Sequence, residues 1–142
     1  MQARQTGLTL IELMVVVAVM AVIAAVAYPI YTSQVQKSRR SDAMVALETI
    51  AMAEERYYTI AGEYGPLASL QISADLLSGD SEQGYYDITV SVTGTDDEQF
   101  TVRAEPKSSG PQAQDGDCTW FELDQLGDRT ASDAGSTKCW GK

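Results

Sequence analysis

The sequence predicts an α+β fold. A long N-terminal α-helix, apolar in its first half and amphipathic in its second, packs on a small antiparallel sheet of three to four strands, giving a lollipop outline. Three observations predict it. Leu13 to Ala27 reads LMVVVAVMAVIAAVA without one polar side chain. From Ser41 to Tyr58 the apolar positions Ala43, Ala46, Leu47, Ile50, Ala53 and Tyr57 step by three and four, tracing one face of a helix. Tyr85 to Thr93 alternates with period two, and Phe100, Val102 and Ala104 repeat that pattern.

The apolar run comes first in the chain. Extended to Leu8 and Ile30, it is interrupted only by Thr9, Glu12, Tyr28 and Pro29, and a helix needs roughly 20 apolar residues to cross hydrocarbon. The residues alone leave several readings open. Ala25-Val26-Ala27 has the small-x-small form of a secretory cleavage site, but Glu12 puts a carboxylate inside the apolar region. A plain membrane anchor carries the same carboxylate at a cost of about 3 kcal/mol.

The second half of the helix follows without a breaker. Lys37, Arg39 and Arg40 are good helix formers, so the helix is expected to run on through them as a solvated or headgroup-contacting collar. The alternative is a separate helix capped by Ser41 and Asp42. Continuity makes Thr9 to Tyr58 about 75 Å long, with a kink at Pro29. Residues 61–84 read as a connecting loop, with Gly62, Gly65, Pro66, Gly79 and Gly84 and a short helix around Ser73 to Leu77. Tyr86, Ile88, Val90 and Val92 form the inner face of the first strand. Gly94 to Glu98 is a polar turn, and Thr119 to Leu123 is a third strand. The amphipathic helix face covers the sheet.

Composition narrows the function. The 142 residues carry a net charge of −10, with 10 Lys plus Arg against 20 Asp plus Glu. A surface so acidic repels phosphate, so direct nucleic-acid binding is not expected, despite the pairs Tyr57-Tyr58 and Tyr85-Tyr86. Histidine is absent, which removes Ser–His and Cys–His nucleophile pairs. Enzymatic activity is therefore not expected, and neither is a cofactor. The acidic runs Asp96-Asp97-Glu98 and Asp115-Gly116-Asp117 lack EF-hand spacing and read as solvated turns rather than a metal site. Cys118 and Cys139 enclose 20 residues. A bridge closing that loop stabilises by roughly 3 kcal/mol, and the segment has little apolar material to hold it otherwise; two unpaired core cysteines are the alternative.

The exact residues of the first stretch carry a resemblance. Gln5-Thr6-Gly7-Leu8-Thr9-Leu10-Ile11-Glu12-Leu13-Met14, followed by the apolar run and Pro29, resembles the prepilin signature of type IV pilins of the type IVa class. Ala53-Glu54-Glu55-Arg56-Tyr57-Tyr58-Thr59, Leu126-Gly127-Asp128-Arg129-Thr130 and Cys139-Trp140 look most like PilE-type minor pilins. The resemblance implies a leader peptide over 1–7, cleaved between Gly7 and Leu8, with Leu8 then methylated on its nitrogen. It implies a transmembrane and polymerisation half-helix over 8–30, an amphipathic half-helix over 31–60, and a sheet with a C-terminal disulfide region over 85–142, bridged by Cys118 and Cys139. Glu12 takes the place of the family's assembly glutamate. Two positions depart from the pattern: Leu8 stands for the usual phenylalanine, and Ala21 for a glycine midway along the run.

The function so implied is a structural subunit of a pilus serving adhesion, twitching motility or DNA uptake. Its partners are other pilin subunits, the prepilin peptidase, the inner-membrane assembly machinery and the membrane itself. The precursor sits in the inner membrane with its C-terminal domain in the periplasm, and the assembled pilus is extracellular. The positive-inside rule dissents, because Arg4 is outnumbered by Lys37, Arg39 and Arg40; the two cysteines favour an oxidising compartment and outweigh it. The alternatives are a pseudopilin of a type II secretion system and a secreted periplasmic binding module.

Overall fold

The computed structural model describes residues 9–133 and 137–141. By contact density the chain divides after Val35 into two compact units. The first contains the start of α1 (Leu10–Ala61), one helix of 52 residues that continues through Lys37, Arg39 and Arg40. Ser41 and Asp42 cap nothing. Thr9 stands before the first turn, and the Glu12 N–H donates to Thr9 Oγ1 (3.3 Å), the side-chain cap of a T-x-x-E sequence. Pro29 lies inside the helix. Its ring removes the N–H that would reach the Ala25 carbonyl, and Thr32 Oγ1 donates to the Pro29 carbonyl (3.0 Å).

In the second unit, the rest of α1 buries Ala43, Ala46, Leu47, Ile50 and Ala53. Three of the five are alanines, so the helix backbone can approach the sheet closely. That sheet has four antiparallel strands in chain order: β1 (Tyr86–Thr93), β2 (Gln99–Pro106), β3 (Phe121–Asp124) and β4 (Arg129–Ala131). Val90 pairs with Val102, Val102 with Leu123, and Leu123 with Arg129. Inward-facing Tyr86, Ile88, Phe100, Val102, Ala104, Phe121 and Leu123 complete the core. The alternation expected from Tyr86 to Val92 and from Phe100 to Ala104 is present. The third strand begins two residues later than expected, at Phe121, and β4 is a further strand that no local pattern announces.

The connector after α1 holds a 3₁₀ turn (Leu67–Ser69) and α2 (Ala74–Leu77), which matches the short helix expected there. Ser73 accepts the Leu76 N–H at its start (3.5 Å). Leu70 and Leu76 anchor the connector in the core. Between β1 and β2 the chain turns at Gly94, whose φ of 101° suits glycine alone.

Candidate functional site

The first unit presents an exposed apolar helix. Every residue from Thr9 to Tyr31 is exposed, and the large apolar side chains among them range from 51% (Val16) to 78% (Leu10) exposure. The most apolar 18-residue window has a mean hydropathy of 2.8, and none of it is buried. A soluble monomer does not leave so long an apolar surface in water. It requires lipid or other protein around it. Glu12, in the first turn, is exposed among Leu10, Ile11, Leu13 and Met14. Helix geometry separates Glu12 and Pro29 along one rod, so they do not form a shared site. Gly7 and Leu8, the expected cleavage and methylation positions, lie outside the described residues.

The second unit is tied together by buried charge. Arg40 is 3% and Asp115 3% exposed. Arg40 Nε and Nη2 donate to the two oxygens of Asp115, each at 2.7 Å, the fork geometry that suits guanidinium and carboxylate. Donating to Asp115 holds the Arg40 guanidinium charge more firmly than usual. Asp115 also accepts from Gln112 Nε2 (2.8 Å) and from the backbone N–H of Asp117 and Cys118. Gln112 Nε2 donates as well to the Gln36 carbonyl (3.2 Å). Two expectations are corrected here. Asp115 is not part of a solvated turn, and Arg40 is not part of a collar. Each is a buried charge that needs the other.

A second buried carboxylate works two residues along the helix. Asp42 accepts from Ser81 Oγ (2.6 Å) and from the backbone N–H of Gln83 and Tyr85, and Ser81 Oγ accepts the Tyr86 N–H (2.9 Å). The loop ahead of β1 is thereby fixed to α1. Spacing carried a signal for part of this network. Arg40, Ala43, Leu47, Ile50 and Glu54 step by three and four, so the buried face extends through a charge at each end.

Cys118 and Cys139 form a disulfide. It joins the segment before β3 to the C-terminal turn, where Trp140 packs edge-on against Phe121 and its indole N–H donates to the Thr130 carbonyl (2.9 Å). Lys138 pairs with Asp117 (2.7 Å) and lowers that carboxyl's pKa. Arg129 pairs with Glu48 of α1 (2.7 Å) and lies over the Trp140 ring. Arg103 pairs with Glu105 and Glu122 and lies over Trp120. Lys107 pairs with Asp80 (2.7 Å). Of the basic residues from Lys37 to Lys138, Arg40, Arg103, Lys107, Arg129 and Lys138 are thus matched to the chain's own carboxylates.

Two family models match the chain. The prokaryotic N-terminal methylation motif matches residues 2–28. The model of type IV minor pilin ComP, DNA uptake sequence receptor, matches residues 29–122. Among solved structures, a type IV pilin from Shewanella oneidensis is 29% identical, with 70% of this chain and 94% of that chain covered and a TM-score of 0.50. The non-core minor pilin PilV of Neisseria meningitidis is 23% identical, with coverage of 72% and 92% and a TM-score of 0.48. No curated protein matches the sequence significantly.

Proposed function

The chain belongs to the type IV minor pilin family, and from that membership we propose how it is processed, placed and used. It is a structural subunit of a type IV pilus, from a family of structural pilins that is not an enzyme family. The finer reading is a precursor cut by a prepilin peptidase between Gly7 and Leu8, with Leu8 N-methylated. The precursor is anchored through the first half of α1, with its folded domain in the periplasm. Assembly transfers that half-helix from lipid to the company of other pilin helices, and Glu12 guides the transfer. The observation that carries this reading is the apolar surface from Leu10 to Tyr31, exposed throughout. Lipid satisfies it before assembly, and neighbouring subunits satisfy it after. Intact mass of the subunit recovered from sheared pili tests the proposal: a chain starting at Leu8 with one added methyl group supports it, and a chain retaining Met1 to Gly7 overturns it.

The matched family model is named for a DNA uptake sequence receptor. In this chain we assign the subunit to the fibre rather than to the DNA contact. From residue 41 onward there are six basic and nineteen acidic residues, and most of the basic ones are engaged internally. Phosphate contact draws on unmatched Lys and Arg. A gel-shift assay of the mature protein with duplex DNA at low salt, where such contacts are strongest, is expected to show no shift.

A further inference from the structure

Glu54 is the buried carboxyl that the fold leaves least answered. It is fully buried on the core face of α1. The Gly65 N–H donates to Glu54 Oε2 (3.1 Å), and Glu54 Oε1 has no hydrogen-bond partner. No cation among the described residues pairs with it. Arg56, two residues on, is exposed and bonds the Met52 carbonyl instead. The contact matters because the chain leaves α1 and turns back here. Tyr64 and Gly65 are the first residues after the helix to dock: the Tyr64 hydroxyl donates to Glu55 Oε1 (3.0 Å), the Tyr64 N–H donates to the Asp97 carbonyl (3.0 Å), and the Tyr64 ring meets Phe100 edge-on.

We propose that Glu54 is a proton-operated latch: its neutral carboxyl holds the segment around Tyr64 and Gly65 against the helix, and its ionisation loosens that segment. A carboxylate enclosed there has one neutral donor and no counter-charge, whereas a carboxylic acid carries no charge to be solvated and keeps an oxygen for Gly65. The titratable neighbours act in the same direction. Glu55, on the same helix, adds negative charge. Tyr64 faces it from the loop with a phenol raised to about 12 by burial and by Glu55, so it stays neutral. The Tyr58 ring packs tilted against that of Tyr64, with centroids 4.7 Å apart. The sheet presents Phe100 to this corner, and the Asp97 carbonyl accepts the Tyr64 N–H there. Burial correspondingly raises the Glu54 pKa. The sign follows: the docked segment is tightest below the ordinary carboxyl range and loosens as pH rises through the raised value, by up to about tenfold per pH unit in that window.

Amide hydrogen exchange of the mature full-length protein in detergent, from about pH 4 to about pH 8 and expressed as protection relative to the unfolded chain, tests this. Protection at Tyr64 and Gly65 should fall across the window in the wild type, become independent of pH in Glu54→Gln, and retain its fall in Glu55→Gln. A flat wild-type profile, or an unchanged slope in Glu54→Gln, overturns the proposal. Direct NMR titration of the Glu54 carboxyl carbon in the wild type guards against misfolding of the variant: a midpoint above the ordinary carboxyl range supports the latch, and one within that range overturns it.

Discussion

Arg40 and Asp115, 75 residues apart in the chain, meet through two parallel hydrogen bonds of 2.7 Å in a setting from which water is excluded. The pair fixes the long β2–β3 connection to the helix. It also places Cys118, whose N–H donates to the same carboxylate.

Removing one partner strands the other charge. Asp115→Ala should cost about 3–5 kcal/mol, read as a lower urea midpoint. The double variant Arg40→Met/Asp115→Leu should recover the part owed to the stranded charge, but not the part owed to the Gln112, Asp117 and Cys118 donors that Asp115 also answers.

Reducing the Cys118–Cys139 disulfide should cost about 3 kcal/mol. The loss should be concentrated in the segment around Trp140, which is checked by comparing thermal unfolding with and without reductant. Mass spectrometry of the non-reduced protein should find no free thiol.

Glu12→Ala should leave the subunit inserted and folded but poorly incorporated. An opposite charge at 4 Å attracts a carboxylate by about 4 kcal/mol at an effective dielectric of 20, before desolvation. A net surplus of about 1 kcal/mol in the fibre over the membrane changes incorporation about fivefold. The ratio of this subunit in sheared pili to its membrane pool measures it.

Gly65→Ala should destabilise the domain by about 1–3 kcal/mol. A Cβ there would lie 2.7 Å from the Tyr57 ring, which must move. Chemical denaturation of the variant, with the NMR signals of the Tyr57 ring as a local probe, checks both effects.

Much of this fold was legible in the sequence because its elements bury regular faces. The stripe from Ala43 to Ala53 and the alternation of β1 and β2 are periodic, and each appears where its period placed it. Where the period met a charge, reading Arg40 as wet was the error: it occupies a core position by spacing, as Glu54 does at the other end of the stripe. Asp115 had no local signal, since its meaning depends on a residue 75 positions earlier. The strand β4 was hidden for a related reason. Arg129 and Thr130 are exposed, and pairing with β3 rather than any pattern of its own makes that segment a strand. At the candidate site, the apolar helix was plain from composition. Gly7 and Leu8 remain known by their motif alone.

The order of the strands has a consequence for folding. Each strand pairs with the one before it in the chain; the β1–β2 and β3–β4 ladders close over short connections, and only the β2–β3 ladder closes over a long one. The short closures favour rapid pairing. The helix is in the opposite position. Arg40 precedes its carboxylate by the whole length of the first two strands, and its guanidinium must remain hydrated until that loop arrives. The buried seat of Arg40 is therefore complete only once the β2–β3 connection has brought Asp115 to replace the water around its guanidinium.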